Sequence, residues 1–397
     1  MTAARAAAFV LLLALAACAR RPPPQAPSTP PRLTLAPANF ADLGGWRDDA
    51  TAAAFPAFVK SCAILESLAP DAPVGPDGIA GKAVDWRAPC AAAASLGAIS
   101  DAAARAFFEA NFVPFSAGNN GAPEGLFTGY FEPELSGART PGGRFATPIL
   151  RRPPDLVAVD LGQFRPDWRG EHTAGRVVNG TLRPYETRAE IERGALDRMK
   201  LAFLWVDNPI DAFVLSIQGS GRVRLSDGSL VQLGYDGQNG RPYVPIGRIL
   251  VARGAIAQED LSLATIRAWL VAHPGEAPAL MDENPSYVFF RELKTAGPVG
   301  SEGAVLTAGR SLAVDPTFLP LGAPMWLDAA QDGLTIRRLV VAQDTGGAIR
   351  GPVRGDLFWG FGVAAAAGAG RMRAEGAYYL LLPREVAERR QKLASAR

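Results

Sequence analysis

The chain has 397 residues, of which 48% are hydrophobic and 20% charged, and its formal net charge is +2. This length and composition are typical of a globular protein with one large domain or two ordinary ones, and the small net charge gives no electrostatic case for binding nucleic acid. Only two histidines occur, which argues against a histidine-based metal site or a Ser-His-Asp triad, and no cofactor motif is present.

The N-terminus has the pattern of a secretory signal. Arg5 precedes an apolar run, residues 6–14, that is too short to span a bilayer. The run leads into Ala17 and Cys18, an ending that resembles a bacterial lipoprotein signal with Cys18 as the lipidated residue, and Ala19 in place of Asp favours the outer membrane. We therefore expect a signal peptide over residues 1–17 and a lipid anchor at the periplasmic face of the outer membrane.

A proline-rich tether is expected over residues 18–37, because six prolines between Pro22 and Pro31 keep a chain extended and unpacked. Residues 38–115 are predicted to be mostly helical, with helices over residues 55–68 and 100–112.

Two cysteines, Cys62 and Cys90, fall in this predicted helical region. In an oxidising compartment such a pair indicates a disulfide, and the alternative is two buried free thiols. The role is structural in both cases, and no catalytic pattern appears here.

From Leu126 the pattern changes to period two. LFTGYFEPEL predicts a strand with Thr128, Tyr130 and Glu132 on one face, which by itself is also typical of a solvated sheet surface. Further on, Thr187 and Glu190 have capping-box spacing, so Glu190 is expected to cap a short helix over residues 187–199.

A strand over residues 212–217 is predicted to run into a glycine turn, Gln218-Gly219-Ser220-Gly221. The turn lacks the ending and the spacing of a phosphate-binding loop, and Ser220 has no histidine partner that would make it a nucleophile. Short strands separated by Gly and Pro then suggest a barrel. The remaining predicted elements are strands 223–225, 230–233, 304–308, 312–314, 324–328, 336–343, 355–362 and 376–382, a strand from Asn284, a helix 261–272, an Ala-Gly loop 364–370 and a terminal helix from Arg384.

The most distinctive chemistry lies in residues 340–360, VVAQDTGGAIRGPVRGDLFWG, which contain Asp344 and Asp356. Apolar neighbours and a second carboxylate nearby both raise the pKa of a carboxyl group, which suits a proton donor. Two such groups would fit a hydrolytic glycosidase, whereas turn or cap duty is the alternative, above all for Asp315, which precedes a proline.

Five stretches together resemble the membrane-bound lytic murein transglycosylase A family over most of residues 125–383. They are FTGYFEPEL, QGSGRVRLSDGS with the following GYDGQNGRPYVPIGRIL, NPSYVFFRE, AVDPTFLPLG and AQDTGGAIRGPVRGDLFWG. The last two match the family's three-aspartate domain, here Asp315, Asp344 and Asp356. As a set these motifs are specific, although QGSG alone would not be.

The resemblance implies a mainly β protein with flanking helices, in which a double-psi β-barrel domain and a smaller inserted β domain enclose a groove. Barrel and N-terminal helices would comprise residues 38–132 and 286–383, the insertion residues 133–285, and the C-terminal tail residues 384–397. Asp356 would be the catalytic acid, with Asp344 as its neighbour in the groove. The candidate sugar contacts are Thr128, Tyr130, Gln218, Gly219, Ser220 and Asp315.

The activity that the resemblance implies is that of a peptidoglycan lytic exotransglycosylase, a lyase that needs no metal or cofactor. It would cleave the MurNAc-GlcNAc β-1,4 bond by attack of the C6 hydroxyl on C1, with Asp356 as acid and then base. Two alternatives stay open: a hydrolytic muramidase that uses Asp344 and Asp356 together, and a non-catalytic lipoprotein that binds peptidoglycan. The expected partners are glycan strands and the outer membrane, with other cell-wall enzymes as further candidates.

Overall fold

The structure, a computed structural model, describes residues 29–168, 170–295 and 297–395. The chain divides into two units, Met1–Pro31 and Arg32–Arg397. Residues 29–31 of the first unit form no helix or strand. The expected signal peptide, Cys18 and residues 18–28 of the expected tether lie outside the described residues. In the described ranges, no helix combines the length and the apolar character that crossing a bilayer requires.

Helices and strands alternate in groups along the second unit. The helices are α1 (Phe55–Ser67), α2 (Ala83–Leu96), α3 (Asp101–Asn111), α4 (Arg188–Glu192), α5 (Pro209–Gln218), α6 (Ile246–Ala252), α7 (Leu263–Ala272), α8 (Ala277–Asp282), α9 (Gly362–Arg371) and α10 (Arg384–Ser395). The strands are β1 (Leu33–Pro37), β2 (Phe112–Asn119), β3 (Gly125–Glu132), β4 (Glu134–Ala138), β5 (Thr147–Leu150), β6 (Val157–Asp160), β7 (His172–Val178), β8 (Thr181–Pro184), β9 (Ala202–Val206), β10 (Ser220–Leu225), β11 (Leu230–Gln238), β12 (Val288–Leu293), β13 (Ser311–Val314), β14 (Pro324–Gln331), β15 (Leu334–Asp344), β16 (Arg354–Phe361) and β17 (Arg373–Pro383).

Six strands close into a barrel, because the pairing order β3-β17-β14-β15-β13-β16 returns to β3. The pairings β13–β15 and β16–β3 are parallel, and the other four are antiparallel. Closure leaves these strands without a free edge over the paired residues and buries a continuous apolar interior. The predicted barrel strands are confirmed except for residues 304–308, where Val305 forms only an isolated bridge with Val299.

Residues 364–370, predicted to be a loop, belong to α9. The small residues that suggested a loop let this helix lie directly on the barrel. A Cβ at Gly368 would lie 2.3 Å from Trp359 Cε3, and one at Gly129 would lie 2.8 Å from the Cα of Ala369. Close packing against β3 and β16 therefore requires Gly and Ala here.

A second sheet, in the order β12-β11-β10-β4-β9-β5, and a three-stranded sheet, β6-β7-β8, occupy the middle of the chain. The second sheet extends past residue 285, because β12 pairs with β11. The strand predicted over residues 212–217 is instead helix α5, capped by the Asn208 side chain, with Pro209 at its start and Gly219 in the left-handed region at its end.

The N-terminal region packs on the outside of the barrel, where the predicted helices over residues 55–68 and 100–112 are confirmed as α1 and α3. A disulfide between Cys62 and Cys90 joins α1 to α2. Residues 33–37, placed at the end of the expected tether, form β1 and pair with β2. Glu190 caps α4 as predicted, although that helix is shorter than expected.

Candidate active site

One row of paired residues brings the two carboxylates together. Ala313 on β13 is the register partner of Asp344 on β15 and, on its other side, of Asp356 on β16. Asp356 is in turn the partner of Thr128 on β3. The barrel therefore places Asp344 and Asp356 on either side of one short strand, with Thr128 next to Asp356.

Asp356 is half-buried and has few polar partners. The Thr128 hydroxyl donates a hydrogen bond to Asp356 Oδ1 at 2.6 Å. No hydrogen bond to Asp356 Oδ2 forms within the part of the chain that the structure describes. Burial raises the pKa of Asp356 from 3.8 to about 6, while the Thr128 hydrogen bond and the Arg354 charge act in the opposite direction. This carboxyl group therefore keeps a proton in an appreciable fraction of molecules near neutral pH.

Asp344 is half-buried too, but it is surrounded by donors. Its Oδ1 accepts from Ser301 N at 2.9 Å, from Ser301 Oγ at 3.1 Å and from Thr345 N at 2.9 Å. Its Oδ2 accepts from the Tyr130 hydroxyl at 2.8 Å. Burial raises the pKa of Asp344, and these hydrogen bonds lower it. The pKa of Asp344 stays above its ordinary value. The pair is unequal in its hydrogen bonds, because four reach Asp344 and one reaches Asp356.

The Tyr130 side chain contacts the strands of both aspartates, Asp344 on β15 and Phe358 on β16. Its ring lies against Phe358 with centroids 5.2 Å apart. Burial, followed by the charge of Asp344, raises the pKa of Tyr130 well above its usual 10.0, so the phenol stays a hydrogen-bond donor. Tyr130 and Thr128 thus each serve one of the two carboxylates.

Sequence reasoning missed two polar contributors to the site, Arg354 and Ser301. Arg354 Nη2 donates to Thr128 Oγ1 at 2.8 Å. Arg354 lies two residues before Asp356 on one strand, and period two places both on one face, so this residue could have been found from the sequence. Ser301 lies in a loop 43 residues before Asp344, and only the folded barrel brings the two together.

Asp315 lies away from this row in the turn after β13. It is 2% exposed. One oxygen accepts from Thr317 N and Oγ1 at 3.0 and 2.7 Å, and the other from Gly351 N at 2.7 Å. This buried arrangement favours the turn role over contact with a sugar, and it ties the loop that precedes Asp356 to β13.

The Gln218-Gly219-Ser220 segment lies at the far end of β3. Gln218 ends α5 and accepts from Phe131 N through its side-chain oxygen at 3.1 Å. Gly219 has a φ of 76°, which allows the sharp reversal into β10. The hydrogen bond from Phe131 N therefore holds this segment next to the end of β3, just beyond Tyr130.

Glu132, the last residue of β3, is fully buried. Glu132 accepts hydrogen bonds from Arg222 Nε at 3.3 Å and from Gln232. Burial raises its pKa despite these partners. Since Arg222 and Gln232 belong to the second sheet, Glu132 links that sheet to the end of β3.

Family profiles match the part of the chain that contains these strands and both aspartates, and curated relatives match the chain as well. The family profile of the MltA specific insert domain matches residues 126–291, and that of the 3D domain matches residues 310–382. Membrane-bound lytic murein transglycosylase A of Vibrio cholerae is 32% identical over 265 residues, which are 64% of this chain and 65% of that protein. The match thus spans just under two thirds of the length of this curated relative.

Solved structures match over a longer part of the chain. The crystal structure of membrane-bound lytic murein transglycosylase from Agrobacterium tumefaciens has a TM-score of 0.80 and 35% identity, and the match covers 90% of this chain and 99% of that one. The crystal structure of Escherichia coli MltA with bound chitohexaose has a TM-score of 0.62 and 26% identity, with 88% and 91% covered. The chain belongs to the membrane-bound lytic murein transglycosylase A family.

Proposed function

We propose that this protein is a lytic transglycosylase that cleaves the MurNAc-GlcNAc β-1,4 bond of peptidoglycan and leaves a 1,6-anhydroMurNAc end. The observation that carries the proposal is the unequal environment of the two carboxylates. Asp344 accepts four hydrogen bonds, whereas Asp356 accepts one and has its pKa raised to about 6. Four donors oppose protonation of Asp344 and one opposes protonation of Asp356, so we assign the proton donor to Asp356.

In the proposed reaction a single group, Asp356, first donates and then accepts a proton. Asp356 gives its proton to the glycosidic oxygen as the bond from C1 to that oxygen breaks, and the bonding electrons leave with the oxygen. The C6 hydroxyl of the same MurNAc attacks C1, and Asp356, now a carboxylate, accepts the hydroxyl proton. The acid is regenerated, and no water is consumed.

Asp344 acts in this scheme as a fixed anion. A carboxylate held by four donors does not need to reorganise while positive charge builds on the sugar, and this is how preorganised groups stabilise a transition state. A hydrolytic muramidase would instead need Asp344 to activate a water. Hydrogen bonds to both oxygens of Asp344 disfavour that second role.

The substrate lies in a groove between the barrel and the inserted domain. The barrel has the double-psi connection and is built from residues 38–132 and from the chain after the insertion, while the insertion begins at residue 133. The pairing of β12 with β11 supports an insertion that ends near residue 293 and not at residue 285. Thr128, Tyr130 and the Gln218-Gly219-Ser220 segment contact the glycan, and the Escherichia coli relative with bound chitohexaose supports a glycan as ligand.

The protein is held at the outer membrane by a lipid on Cys18. The relatives' description as membrane-bound supports membrane association. In cells, Cys18→Ser should release the protein from the membrane fraction, and unchanged membrane association would refute the anchor.

The catalytic proposal is tested with Asp356→Asn on purified murein. Asp227→Asn is the matched control, because Asp227 lies in an exposed turn between β10 and β11. We expect the control to digest murein at the wild-type rate and Asp356→Asn to be slower by about a hundred-fold or more while still binding glycan. Digestion by Asp356→Asn at the wild-type rate would contradict the proposal. A wild-type protein that binds murein without releasing fragments would show a binding protein instead.

A further inference from the structure

Arg354 is held beside the acid by hydrogen bonds to the backbone of two strands. Its Nη1 donates to Leu126 O on β3 at 3.1 Å and also to Gly355 O on β16. Its Nη2 is thereby directed at Thr128 Oγ1, 2.8 Å away. Arg354 is half-buried, so few other positions satisfy its charge and its N–H groups.

The direction of the hydrogen bond between Thr128 and Asp356 follows from this contact. A guanidinium group can only donate, and a threonine hydroxyl has one proton. Arg354 donates to one of the two lone pairs of Thr128 Oγ1. The hydroxyl proton is directed to Asp356 Oδ1 at 2.6 Å, which is its one acceptor among the described residues. Asp356 Oδ1 is therefore an acceptor, and a proton on this carboxyl group is carried by Oδ2.

We propose that Arg354 is a positioning residue that keeps the Thr128 hydroxyl in its donor orientation and so confines the acidic proton of Asp356 to Oδ2. Without Arg354 the hydroxyl can rotate and accept from the acid, so the proton divides between the two oxygens. With Arg354 present, the proton is carried by Oδ2, the oxygen that has no hydrogen bond from the described part of the chain. Proton transfer to the substrate then starts from a single arrangement of the acid. After transfer the same hydroxyl still donates to the new carboxylate. This inference rests on the proposed function, in which Asp356 is the acid.

Three neighbouring groups shift the pKa of Asp356, each in a defined direction. The Thr128 hydrogen bond and the Arg354 charge lower the pKa of Asp356, and the charge of Asp344 raises it. Tyr130, on the same strand as Thr128, hydrogen-bonds to Asp344. Loss of Arg354 should therefore raise the pKa of Asp356 and move the alkaline limb of the pH–rate profile to higher pH. A merely structural role would lower the amount of active protein and leave the limb in place.

A double-mutant cycle tests the proposal. We expect Arg354→Met to lower kcat about ten-fold or more with little change in KM, and Arg354→Lys, which keeps a charged donor, to recover part of the loss. Thr128→Val should have a similar effect, and Thr128→Ser should keep most of the activity. Because Arg354 acts through Thr128, adding Arg354→Met to Thr128→Val should cost little more.

The control is Arg87→Met, an exposed arginine on α2, which should leave kcat and the pH profile unchanged. Glycan binding and the unfolding transition of each variant show whether it is folded. Additive losses in folded variants, or a pH limb that does not move in Arg354→Met, would overturn the role of Arg354. A wild-type protein that leaves hydrolysed reducing ends would contradict the proposed function and not this relay, because a general acid is needed in either reaction.

Discussion

The Thr128 hydroxyl and the Asp356 carboxylate meet at 2.6 Å although 228 residues separate them in the chain. They are register partners on the parallel strands β3 and β16. This is the single hydrogen bond that the described chain supplies to Asp356, whereas Asp344 receives four. Burial raises the pKa of both carboxyl groups, and this difference in hydrogen bonding is the reason for assigning the proton donor to Asp356.

Activity should fall as the pH rises through the pKa of Asp356. Because burial raises this pKa to about 6, the acid is protonated below that pH and progressively lost above it. We expect kcat/KM for murein to decrease toward ten-fold per pH unit on the alkaline side. The measurement is the initial rate of fragment release at constant ionic strength, and a profile that stays flat from about pH 5 to 8 would speak against Asp356 as the acid.

Tyr130→Phe should weaken catalysis, although the aromatic ring at this position is kept. The substitution removes one of four donors to Asp344 and keeps the packing against Phe358. Since the lost hydrogen bond lowers the pKa of Asp344, Asp344 becomes easier to protonate and a less effective anion. We expect kcat to drop about ten-fold with KM nearly unchanged, and Asp344→Asn to cost more. If Tyr130→Phe and Asp344→Asn both digested murein at the wild-type rate, Asp344 would have no role in the mechanism.

Glu302→Gln should stabilise the protein at alkaline pH. Glu302 accepts from Ser61 Oγ at 2.7 Å, its other oxygen is buried with no partner in the described chain, and burial raises its pKa from 4.5 to about 7. The folded protein therefore holds this proton more tightly than the unfolded chain. The stabilisation is complete below about pH 4.5 and is lost as the pH rises to about 7, by up to about 1.4 kcal/mol per pH unit.

Urea unfolding at several pH values measures this effect. The free energy of unfolding of Glu302→Gln should match the wild type near pH 4 and exceed it near pH 8, on the order of 1 to 3 kcal/mol. Stability curves of wild type and variant that run parallel across this range would show that Glu302 does not titrate as its burial suggests.

The sequence predicts features that depend on neighbouring residues better than features that depend on packing between distant parts of the chain. Asp344 and Asp356 were recognised from their apolar, turn-rich surroundings, but their common partner Ala313 depends on the order of barrel strands. Ser301 carries no local pattern at all, because its role depends on a loop that the fold brings to Asp344. Long-range pairing of this kind has no period that a single sequence can display.

Two wrong predictions have identifiable physical causes. The apolar run at residues 212–217 is too short for periodicity to distinguish strand from helix, and the decisive features were the flanking Asn208, Pro209 and Gly219. The Ala-Gly run at residues 364–370 is helical because alanine favours helix and small residues fit against Trp359. In both cases the ends or the packing surface of the element determined its structure.

Digestion of murein in water enriched in oxygen-18 tests the central claim most directly. If Asp356 acts alone as acid and base and the C6 hydroxyl is the nucleophile, mass spectrometry should find 1,6-anhydroMurNAc ends without the heavy isotope. Reducing MurNAc ends that carry oxygen-18 would show that water attacks C1, and would contradict the transglycosylase mechanism proposed for Asp356.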